Sequence, residues 1–312
     1  MTAPIPRCLL VQPIDAAGVG LLRAGGIGVD LAPGTDLADL APLLATADAV
    51  ITRNHGLSAA AMALAPRLRV IASHGTGTDR IDIAAARARG IAVINTPGSN
   101  AQAVAEQALA LLFAAARRLP EAEQALRRGD FDWRLTPAAR GIELAGRRLG
   151  LWGYGHVARH LARMARGIGM EVQVLSSHAR PEDLAAEGLA AARDAGTLLA
   201  GCDAISLHAL PGPRPLLAAA ELAAMRPGAI LVNTARGRLV DEAALASALT
   251  TGRLGAAALD VFAEEPLPPG SPLLGCPNLI LTPHVGGTTV EALRRTAEAA
   301  ARAVLAALKA PQ

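Results

Sequence analysis

The chain has 312 residues, a formal net charge of +3 and a composition that is 52% hydrophobic and 2% aromatic. At about 150 residues a domain, this length predicts roughly two domains with large buried cores. The weak charge, the lack of a basic run and the few aromatic residues argue against nucleic acid as a main partner.

The high apolar content does not indicate a membrane protein. Much of it is alanine, and no uncharged run reaches the roughly 18 residues that a membrane-spanning helix needs. The N-terminal sequence MTAPIPRCLLVQP lacks the charged start and the long apolar stretch of a signal peptide. We therefore expect a cytoplasmic protein with no membrane partner.

The first 100 residues alternate short apolar runs with stretches of helical spacing. The predicted strands are 8–11, 48–52, 69–73 and 91–94, and the predicted helices are 36–46, 58–65 and 82–89. This alternation predicts a parallel sheet with helices on both faces. A long helix is predicted from about Ala101 to Leu119, with Pro120 just beyond its end.

A second set of elements opens with a strand, a glycine turn and a helix. The turn Gly153-Tyr154-Gly155-His156-Val157-Ala158 fits the pattern G-x-G-x-x-G/A. There the first glycine makes the tight turn, the second admits a pyrophosphate, and the third position keeps the helix against the strand. The helix N-terminus favours phosphate. A plain glycine-rich turn is the alternative, which the flanking elements disfavour.

Further strand signals follow at 172–175, 204–207, 229–232, 256–259 and 279–282, before a last helix at 289–308. We therefore predict an α/β fold with two Rossmann-like, doubly wound parallel-sheet domains and a cleft between them. One domain spans 99–285. The other combines 1–98 with 286–312, which makes it discontinuous.

Cysteine and lysine usage excludes several kinds of site. Cys8, Cys202 and Cys276 are far apart, odd in number and outside any C-x-x-C pair, which argues against disulfides and zinc. The one lysine, Lys309, excludes a Walker A loop and disfavours a Schiff-base mechanism. We expect no bound metal.

Loops that follow predicted strands carry the candidate chemistry. Gly75 and Gly77 can converge backbone N–H groups on an anion. Arg236 can grip a carboxylate, because ligands bind at the carboxyl ends of strands in open α/β sheets. His284 suits proton transfer if a carboxylate orients it. From the residues alone, a plain turn, a surface arginine and a structural histidine stay open as alternatives.

In order and spacing, these segments resemble the D-2-hydroxyacid dehydrogenase family, which includes phosphoglycerate dehydrogenase, glycerate dehydrogenase and hydroxypyruvate reductase. The resemblance rests on GTGTDRIDIAAARARGIAVINTPGSNAQAVAEQALAL, LAGRRLGLWGYGHVA, NTARGRLVDEAAL, LDVFAEEPLP and LTPHVGGTT. Only the first 65 residues match weakly. By this resemblance, 99–285 is the dinucleotide-binding domain and 1–98 with 286–312 is the substrate (catalytic) domain.

The resemblance also implies roles for individual residues. His284 is the acid/base, Glu265 pairs with it, and Arg236 holds the substrate carboxylate and carbonyl. Asp260 contacts the nicotinamide carboxamide. The implied substrate-binding residues are Arg53, Gly75, Thr76, Gly77, Asn100 and Arg236. The implied cofactor-binding residues are Gly153, Gly155, His156, Val157, Ser176, Ser177, Arg180, Thr234, Ala235, Asp260, Gly286 and Gly287.

One departure bears on the cofactor. Where NAD-preferring relatives end the second strand with Asp or Glu, this chain has Ser176, followed by Ser177, His178 and Arg180. A carboxylate there repels a 2′-phosphate, whereas hydroxyls and an arginine can accept one. We therefore predict NADP(H) over NAD(H). The alternative is that Arg180 only caps the solvent face and that discrimination is weak.

The resulting prediction is an NAD(P)-dependent oxidoreductase of small D-2-hydroxy and 2-keto acids, with glyoxylate or hydroxypyruvate as substrate. One alternative is D-3-phosphoglycerate dehydrogenase, whose phosphate needs further cations such as Arg53, Arg80 or Arg134. Another is an NAD(H)-sensing binding protein of the corepressor type. Glu265 argues against formate dehydrogenase. We expect a homodimer, and, because the chain ends at Gln312, no C-terminal regulatory domain.

Overall fold

A computed structural model describes residues 5–309; residues 1–4 and 310–312, which the predicted domain ranges include, lie outside the described residues. The strands, in chain order, are β1 (Arg7–Leu10), β2 (Gly28–Leu31), β3 (Ala49–Thr52), β4 (Val70–Ser73), β5 (Ala92–Ile94), β6 (Arg148–Trp152), β7 (Glu171–Leu175), β8 (Ala190–Ala191), β9 (Ala204–Leu207), β10 (Ile230–Asn233), β11 (Ala256–Leu259) and β12 (Leu279–Leu281). The helices are α1 (Ala16–Ala24), α2 (Leu37–Leu44), α3 (Ala59–Ala63), α4 (Ile83–Ala88), α5 (Ala101–Arg117), α6 (Leu119–Arg127), α7 (His156–Gly167), α8 (Pro181–Ala186), α9 (Ala195–Gly201), α10 (Ala219–Ala224), α11 (Glu242–Thr250) and α12 (Val290–Lys309). Short 3₁₀ helices lie at Phe131–Leu135, Pro137–Ala139, Gly237–Leu239 and Pro272–Gly275.

The chain divides into two compact units. Unit 1 comprises Met1–Asn100 and Gly287–Gln312, and unit 2 comprises Ala101–Gly286. Unit 1 is therefore built from two separate stretches of chain. Its final helix, α12, packs against α1 and against strands β3, β4 and β5.

Each unit is built on one parallel sheet. In the described residues, the sheet of unit 1 has five strands in the order β2-β1-β3-β4-β5, and that of unit 2 has seven in the order β12-β11-β10-β9-β6-β7-β8. The order in unit 2 reverses direction at β6, which pairs with both β7 and β9. Ligands of such sheets bind outside the carboxyl ends of the strands at this switch point. The predicted α/β class with two doubly wound parallel sheets is confirmed.

Apolar residues cover both faces of each sheet. In unit 2, one cluster packs α5 and α7 against one face of the sheet, with Leu112, Leu151 and Leu161 at its centre. A second cluster, around Leu207 and Leu245, fills the opposite face. Unit 1 is covered in the same way by two clusters. Strands β3, β4, β9, β10 and β11 are buried at every position, which explains why their sequences are largely apolar and do not alternate.

Short acidic side chains fix the start of several helices. Asp15, Asp82, Asp194 and Asp241 each accept a hydrogen bond from a backbone N–H in the first turn of the helix that follows, at 2.7 to 3.0 Å. Such a cap contributes about 1 kcal/mol. It also ends each loop at a defined residue, which keeps the loops at the carboxyl ends of the strands short.

Two expectations about the elements were wrong. The long helix α5 ends at Arg117, and Arg118 adopts a left-handed conformation with φ of 54°. Pro120 therefore lies in the first turn of a new helix, α6, where its missing N–H costs nothing, and not in a loop after α5. Strand Gly28–Leu31 and helix Ala16–Ala24 were not predicted: the strand is only four residues long and contains Asp30, and the helix contains Gly18 and Gly20.

None of the helices within residues 5–309 is long and apolar enough to span a membrane.

Candidate active site

The glycine turn after β6 has the geometry that close approach of a dinucleotide requires. Gly153 has a φ of 100°, and a Cβ placed on it would lie 2.5 Å from the carbonyl oxygen of His208, so only glycine fits. A Cβ on Gly155 would meet nothing within 4 Å, which leaves open space over this residue. Ala158 is fully buried between α7 and the sheet. The turn therefore fits a pyrophosphate, with the N-terminus of α7 directly behind it.

The other predicted cofactor residues of unit 2 follow the ends of neighbouring strands. His156 and Val157 begin α7, Ser176 follows β7, Thr234 and Ala235 follow β10, and Asp260 follows β11. Because these strands are parallel, their carboxyl ends share one edge of the sheet. Among the described residues, the hydroxyl oxygen of Thr234, which is buried at this edge, has no hydrogen-bond partner. A buried polar atom without a partner is uncommon and is consistent with a ligand at this edge.

The loop after β7 is held by its own side chains. The Oγ of Ser176 accepts hydrogen bonds from the backbone N–H groups of His178 and Ala179, both at 3.2 Å. Ser177 and His178 are exposed. The guanidinium of Arg180 makes two hydrogen bonds of 2.9 Å to the carboxylate of Asp183. Arg180 therefore has an ion-pair partner in the same chain, Asp183, which was not predicted from the sequence.

Asn233 shapes the loop that carries Arg236. It is fully buried at the end of β10, its Nδ2 donates to the carbonyl of Arg236 at 2.8 Å, and its Oδ1 accepts from the N–H of Ala235 at 3.0 Å. The Nη1 of Arg236 donates to the carbonyl of Ala235 at 2.7 Å. The residue that follows, Gly237, touches the neighbouring loop so closely that a Cβ would lie 1.8 Å from the carbonyl carbon of Phe262. The arginine loop thus packs directly on the loop that carries Glu265.

Asp260 holds the loop that carries His284. Its buried carboxylate accepts hydrogen bonds from the hydroxyl of Thr282 at 2.5 Å, from the N–H of Val285 at 2.9 Å and from the N–H of Gly286 at 2.8 Å. The carboxylate is therefore satisfied within unit 2. A contact of Asp260 with a nicotinamide carboxamide stays a prediction, and its observed contacts give it a structural role in addition.

His284 and Glu265 form a hydrogen-bonded pair. The Nδ1 of His284 lies 2.9 Å from Oε2 of Glu265, and Oε1 of Glu265 accepts from the backbone N–H of Phe262 at 3.1 Å. His284 has a φ of 53°, a left-handed backbone conformation that is uncommon for a residue other than glycine. Glu265 is more enclosed than His284. With Nδ1 held in this way, Nε2 is the ring nitrogen that can exchange a proton with a substrate.

The remaining predicted site residues belong to unit 1. The N–H of Gly75 lies 2.9 Å from the hydroxyl oxygen of Thr96 and 2.9 Å from the carbonyl oxygen of Ser73. Among the described residues, the N–H groups of Thr76 and Gly77 have no protein acceptor. Binding of an anion by these N–H groups stays a prediction. Asn100 lies against Gly287, where a Cβ would come within 2.8 Å of its Nδ2.

Arg53 and His74 lie close together in unit 1. The Nη1 of Arg53 donates to the carbonyl of Pro13 at 3.0 Å, and burial lowers the pKa of this guanidinium. Burial, with the charge of Arg53, lowers the pKa of His74 to about 4. The Nε2 of His74 is buried without a partner in the described residues. A substrate-binding role for the unit 1 residues stays a prediction.

A family model matches more than half of the chain. Residues 109–286 match the model described as D-isomer specific 2-hydroxyacid dehydrogenase, NAD binding domain. The chain belongs to the D-isomer specific 2-hydroxyacid dehydrogenase family. Its members are oxidoreductases that act on CH–OH groups and use a nicotinamide cofactor. The matched residues lie within unit 2, which contains the glycine turn and the pair of His284 and Glu265.

Curated relatives within this 2-hydroxyacid dehydrogenase family include D-3-phosphoglycerate dehydrogenases and a glyoxylate reductase. A D-3-phosphoglycerate dehydrogenase of Archaeoglobus fulgidus is 35% identical over 92% of this chain and 54% of its own length. A glyoxylate reductase of Aeropyrum pernix is 41% identical over 78% of this chain and 74% of its own. The chain therefore spans about half the length of the first of these relatives.

Solved structures include a similar NADPH-dependent glyoxylate/hydroxypyruvate reductase of Sinorhizobium meliloti in complex with NADP and malonate. Its TM-score is 0.85 at 29% identity, over 98% of this chain and 94% of that one.

Three features of this dehydrogenase site were missed from the sequence. Asn233 gave no signal beyond its place at a strand end, although a buried asparagine there often shapes a turn. The need for glycine at position 237 had a signal in the spacing of R-G-R. The partner of Arg180 was visible only as an acidic residue three positions later in the sequence. No group of three or more possible metal ligands occurs among the described residues.

Proposed function

We propose that the chain is an NAD(P)-dependent oxidoreductase that interconverts a small 2-keto acid and its D-2-hydroxy acid, with glyoxylate or hydroxypyruvate as substrate. The observation that carries the proposal is the 2.9 Å contact between His284 Nδ1 and Glu265 Oε2, in the unit that also holds the open glycine turn. A histidine oriented by a carboxylate beside a dinucleotide site is the arrangement that proton transfer to a carbonyl needs.

The residues of unit 2 would divide the work as follows. A bound nicotinamide supplies the hydride for the carbonyl carbon during reduction. His284 donates the proton on Nε2 to the carbonyl oxygen, which becomes the hydroxyl group. Glu265 accepts a hydrogen bond from Nδ1–H throughout and stabilises the imidazolium form. Arg236 holds the carboxylate of the acid and polarises the carbonyl. Solvent then returns a proton to His284.

For the cofactor, we propose NADP(H) in preference to NAD(H). The support is the sequence of the loop after β7, where Ser176 and Ser177 replace the acid that would repel a 2′-phosphate and Arg180 follows. The NADP complex of the similar Sinorhizobium meliloti reductase is in keeping with this proposal.

D-3-Phosphoglycerate dehydrogenase is the second candidate, because curated relatives with that name are 35–39% identical to this chain over more than 90% of it. The candidate cations for a phosphate are Arg53 and Arg80 of unit 1 and Arg134 of unit 2. The guanidinium of Arg134 lies 4.7 Å from the centre of the Phe131 ring.

We further propose that the protein forms a homodimer through unit 2. Large apolar side chains are exposed at several positions between residues 113 and 135, among them Leu126, Phe131 and Leu135, whose exposed fractions are 62%, 64% and 69%. The 3₁₀ helix Phe131–Leu135 packs on α6, so these side chains lie on adjacent elements. Apolar side chains concentrated in this way mark an association surface, and a second copy of the chain is the partner we propose.

Initial rates with NADPH and NADH test the proposal against glyoxylate, hydroxypyruvate, pyruvate, phenylpyruvate and 3-phosphohydroxypyruvate. We expect NADPH-dependent turnover of glyoxylate or hydroxypyruvate. A preference for 3-phosphohydroxypyruvate with NADH would replace both the substrate and the cofactor proposal while keeping the catalytic residues. No turnover of any keto acid would overturn the enzyme and favour a nucleotide-sensing binding protein, which a pull-down with peptide ligands then tests.

A further inference from the structure

The arginine that follows β7 is already engaged in an ion pair. Arg180 is the last residue before α8, and Asp183 lies in the first turn of that helix. The Nε and Nη2 atoms of Arg180 each donate to a different carboxylate oxygen of Asp183, at 2.9 Å. Both side chains are open to solvent, with exposed fractions of 75% and 54%. Two parallel bonds of this kind give the pair a defined geometry.

The pair keeps both groups charged and leaves the loop without excess positive charge. The hydrogen bond to Asp183 raises the pKa of Arg180, and the same bond lowers the pKa of Asp183. The charge of Arg159, on α7, also acts on Asp183. Arg159 is itself bound to Glu187 at 2.7 Å. Arg180 and Arg159 are thus each paired with a carboxylate of the same unit.

A 2′-phosphate needs the same donors that Asp183 now occupies. A phosphomonoester carries a charge of about −1.5 to −2 at neutral pH and binds guanidinium groups bidentately. The Nε and Nη2 atoms of Arg180 cannot serve a phosphate and the Asp183 carboxylate in the same geometry. NAD(H) carries a neutral hydroxyl at this position, so the competition affects only the phosphorylated cofactor.

We propose that Asp183 is a positioning residue that lowers the selectivity of this dehydrogenase for NADP(H), by holding Arg180 in an ion pair that the 2′-phosphate must displace. The inference rests on the proposed function, in particular on cofactor binding at the loop after β7. It explains how a loop with serines and an arginine can remain open to both cofactors.

The expected effect is modest, because exposed ion pairs are weak. Releasing an arginine from such a pair should change NADPH affinity by about two- to fivefold. In Asp183→Asn, we expect the dissociation constant of NADPH to fall by that factor and the NADH constant to stay unchanged. The ratio of kcat/KM values for NADPH and NADH should rise by the same factor.

The test compares four variants with the wild type by fluorescence titration of NADPH and NADH and by initial rates. Arg180→Ala should weaken NADPH binding, and adding Asp183→Asn to it should change nothing further. Glu182→Gln is the matched control, because it removes the neighbouring negative charge from the same exposed helical turn without touching the pair. Thermal unfolding verifies that each variant is folded.

Three results would overturn the inference. NADPH affinity could stay unchanged in Asp183→Asn. Glu182→Gln could produce an equal gain, which would point to general electrostatics. The gain could also persist without Arg180, which would point to direct repulsion of the phosphate by Asp183. A wild-type protein that binds neither nucleotide overturns the proposed function as well, whereas normal turnover with unresponsive variants overturns only this inference.

Discussion

The two carboxylate oxygens of Glu265 have different partners: Oε2 lies 2.9 Å from Nδ1 of His284, and Oε1 accepts a hydrogen bond from the backbone N–H of Phe262. The carboxylate is thus anchored at one oxygen and orients the ring with the other. This arrangement selects the tautomer in which Nδ1 is protonated and donates a hydrogen bond to Glu265. It makes Nε2 the working nitrogen of the proposed reaction.

Removing the imidazole should remove proton transfer without unfolding the protein. In His284→Ala, we expect kcat to fall by about 10²- to 10⁴-fold, the usual contribution of a positioned acid or base. Initial rates of keto-acid reduction at saturating cofactor measure the effect. His160→Ala, in α7 and outside the predicted site residues, is the control and should retain full activity. A near-normal kcat in His284→Ala would refute the assigned role.

Replacing Arg236 should affect capture of the keto acid. Arg236→Lys keeps the positive charge but loses the two-pronged geometry, so we expect a higher KM for the acid and a kcat/KM lower by about tenfold or more. The KM of the cofactor should change little. Arg238→Ala, two residues away and exposed, is the matched control. An unchanged kcat/KM in Arg236→Lys would exclude a carboxylate contact.

Alanine substitutions of the two glycines in the turn after β6 should have different effects. Gly153→Ala places a Cβ against the His208 carbonyl at a positive φ, so we expect loss of stability together with loss of cofactor binding. Gly155→Ala has open space for its methyl group, so the protein should keep its melting temperature while binding NAD(P)H at least tenfold more weakly. Melting curves and nucleotide fluorescence distinguish the two. Wild-type affinity in Gly155→Ala would place the pyrophosphate elsewhere.

Two enclosed histidines should make the fold sensitive to mild acid. Burial lowers the pKa values of His74 and His208 from 6.5 to about 4. Between these values the unfolded chain binds protons that the folded chain does not, so the free energy of unfolding decreases as the pH falls from about 6.5 to about 4.

The double variant His74→Gln/His208→Gln should therefore show a flatter dependence of the urea midpoint on pH in this window. His160→Gln serves as its control. If the double variant and the wild type lose stability equally between pH 6.5 and pH 4, other groups cause the acid sensitivity.

Charge placed on the exposed apolar surface should prevent association. We expect the wild type to sediment as a dimer and Phe131→Asp/Leu135→Asp to sediment as a monomer with an unchanged circular dichroism spectrum. Analytical ultracentrifugation measures both. Leu210→Asp, at another exposed apolar position of unit 2, provides the comparison. A dimeric double variant would place the contact surface elsewhere.

Local patterns predicted the parts of the fold that depend on neighbouring residues. The strand, turn and helix around Gly153 follow from spacing alone, since each glycine or alanine has a steric reason within that unit. Strand β2 was not predicted because its sequence, GVDL, is short and half polar, and its pairing with β1 comes from distant residues. The break after Arg117 likewise depends on a single left-handed residue that propensity does not reveal.

The same distinction between local patterns and long-range contacts applies to the candidate site. The motifs identified Arg236, Glu265 and His284, but not the contacts that hold them. Gly237 meets Phe262 from another loop, and Thr96 takes the N–H of Gly75 across 21 residues of chain. Such contacts depend on the strand order of each sheet. A single sequence therefore predicts the candidate residues, and the fold determines which of their hydrogen-bonding groups can still bind a ligand.

The close contact at Gly237 also bears on protein engineering. Because the loop of Arg236 rests on the backbone of Phe262, and the N–H of Phe262 in turn binds Glu265, the loops that carry these proposed catalytic side chains are packed directly together. Random substitution there should mostly yield inactive libraries.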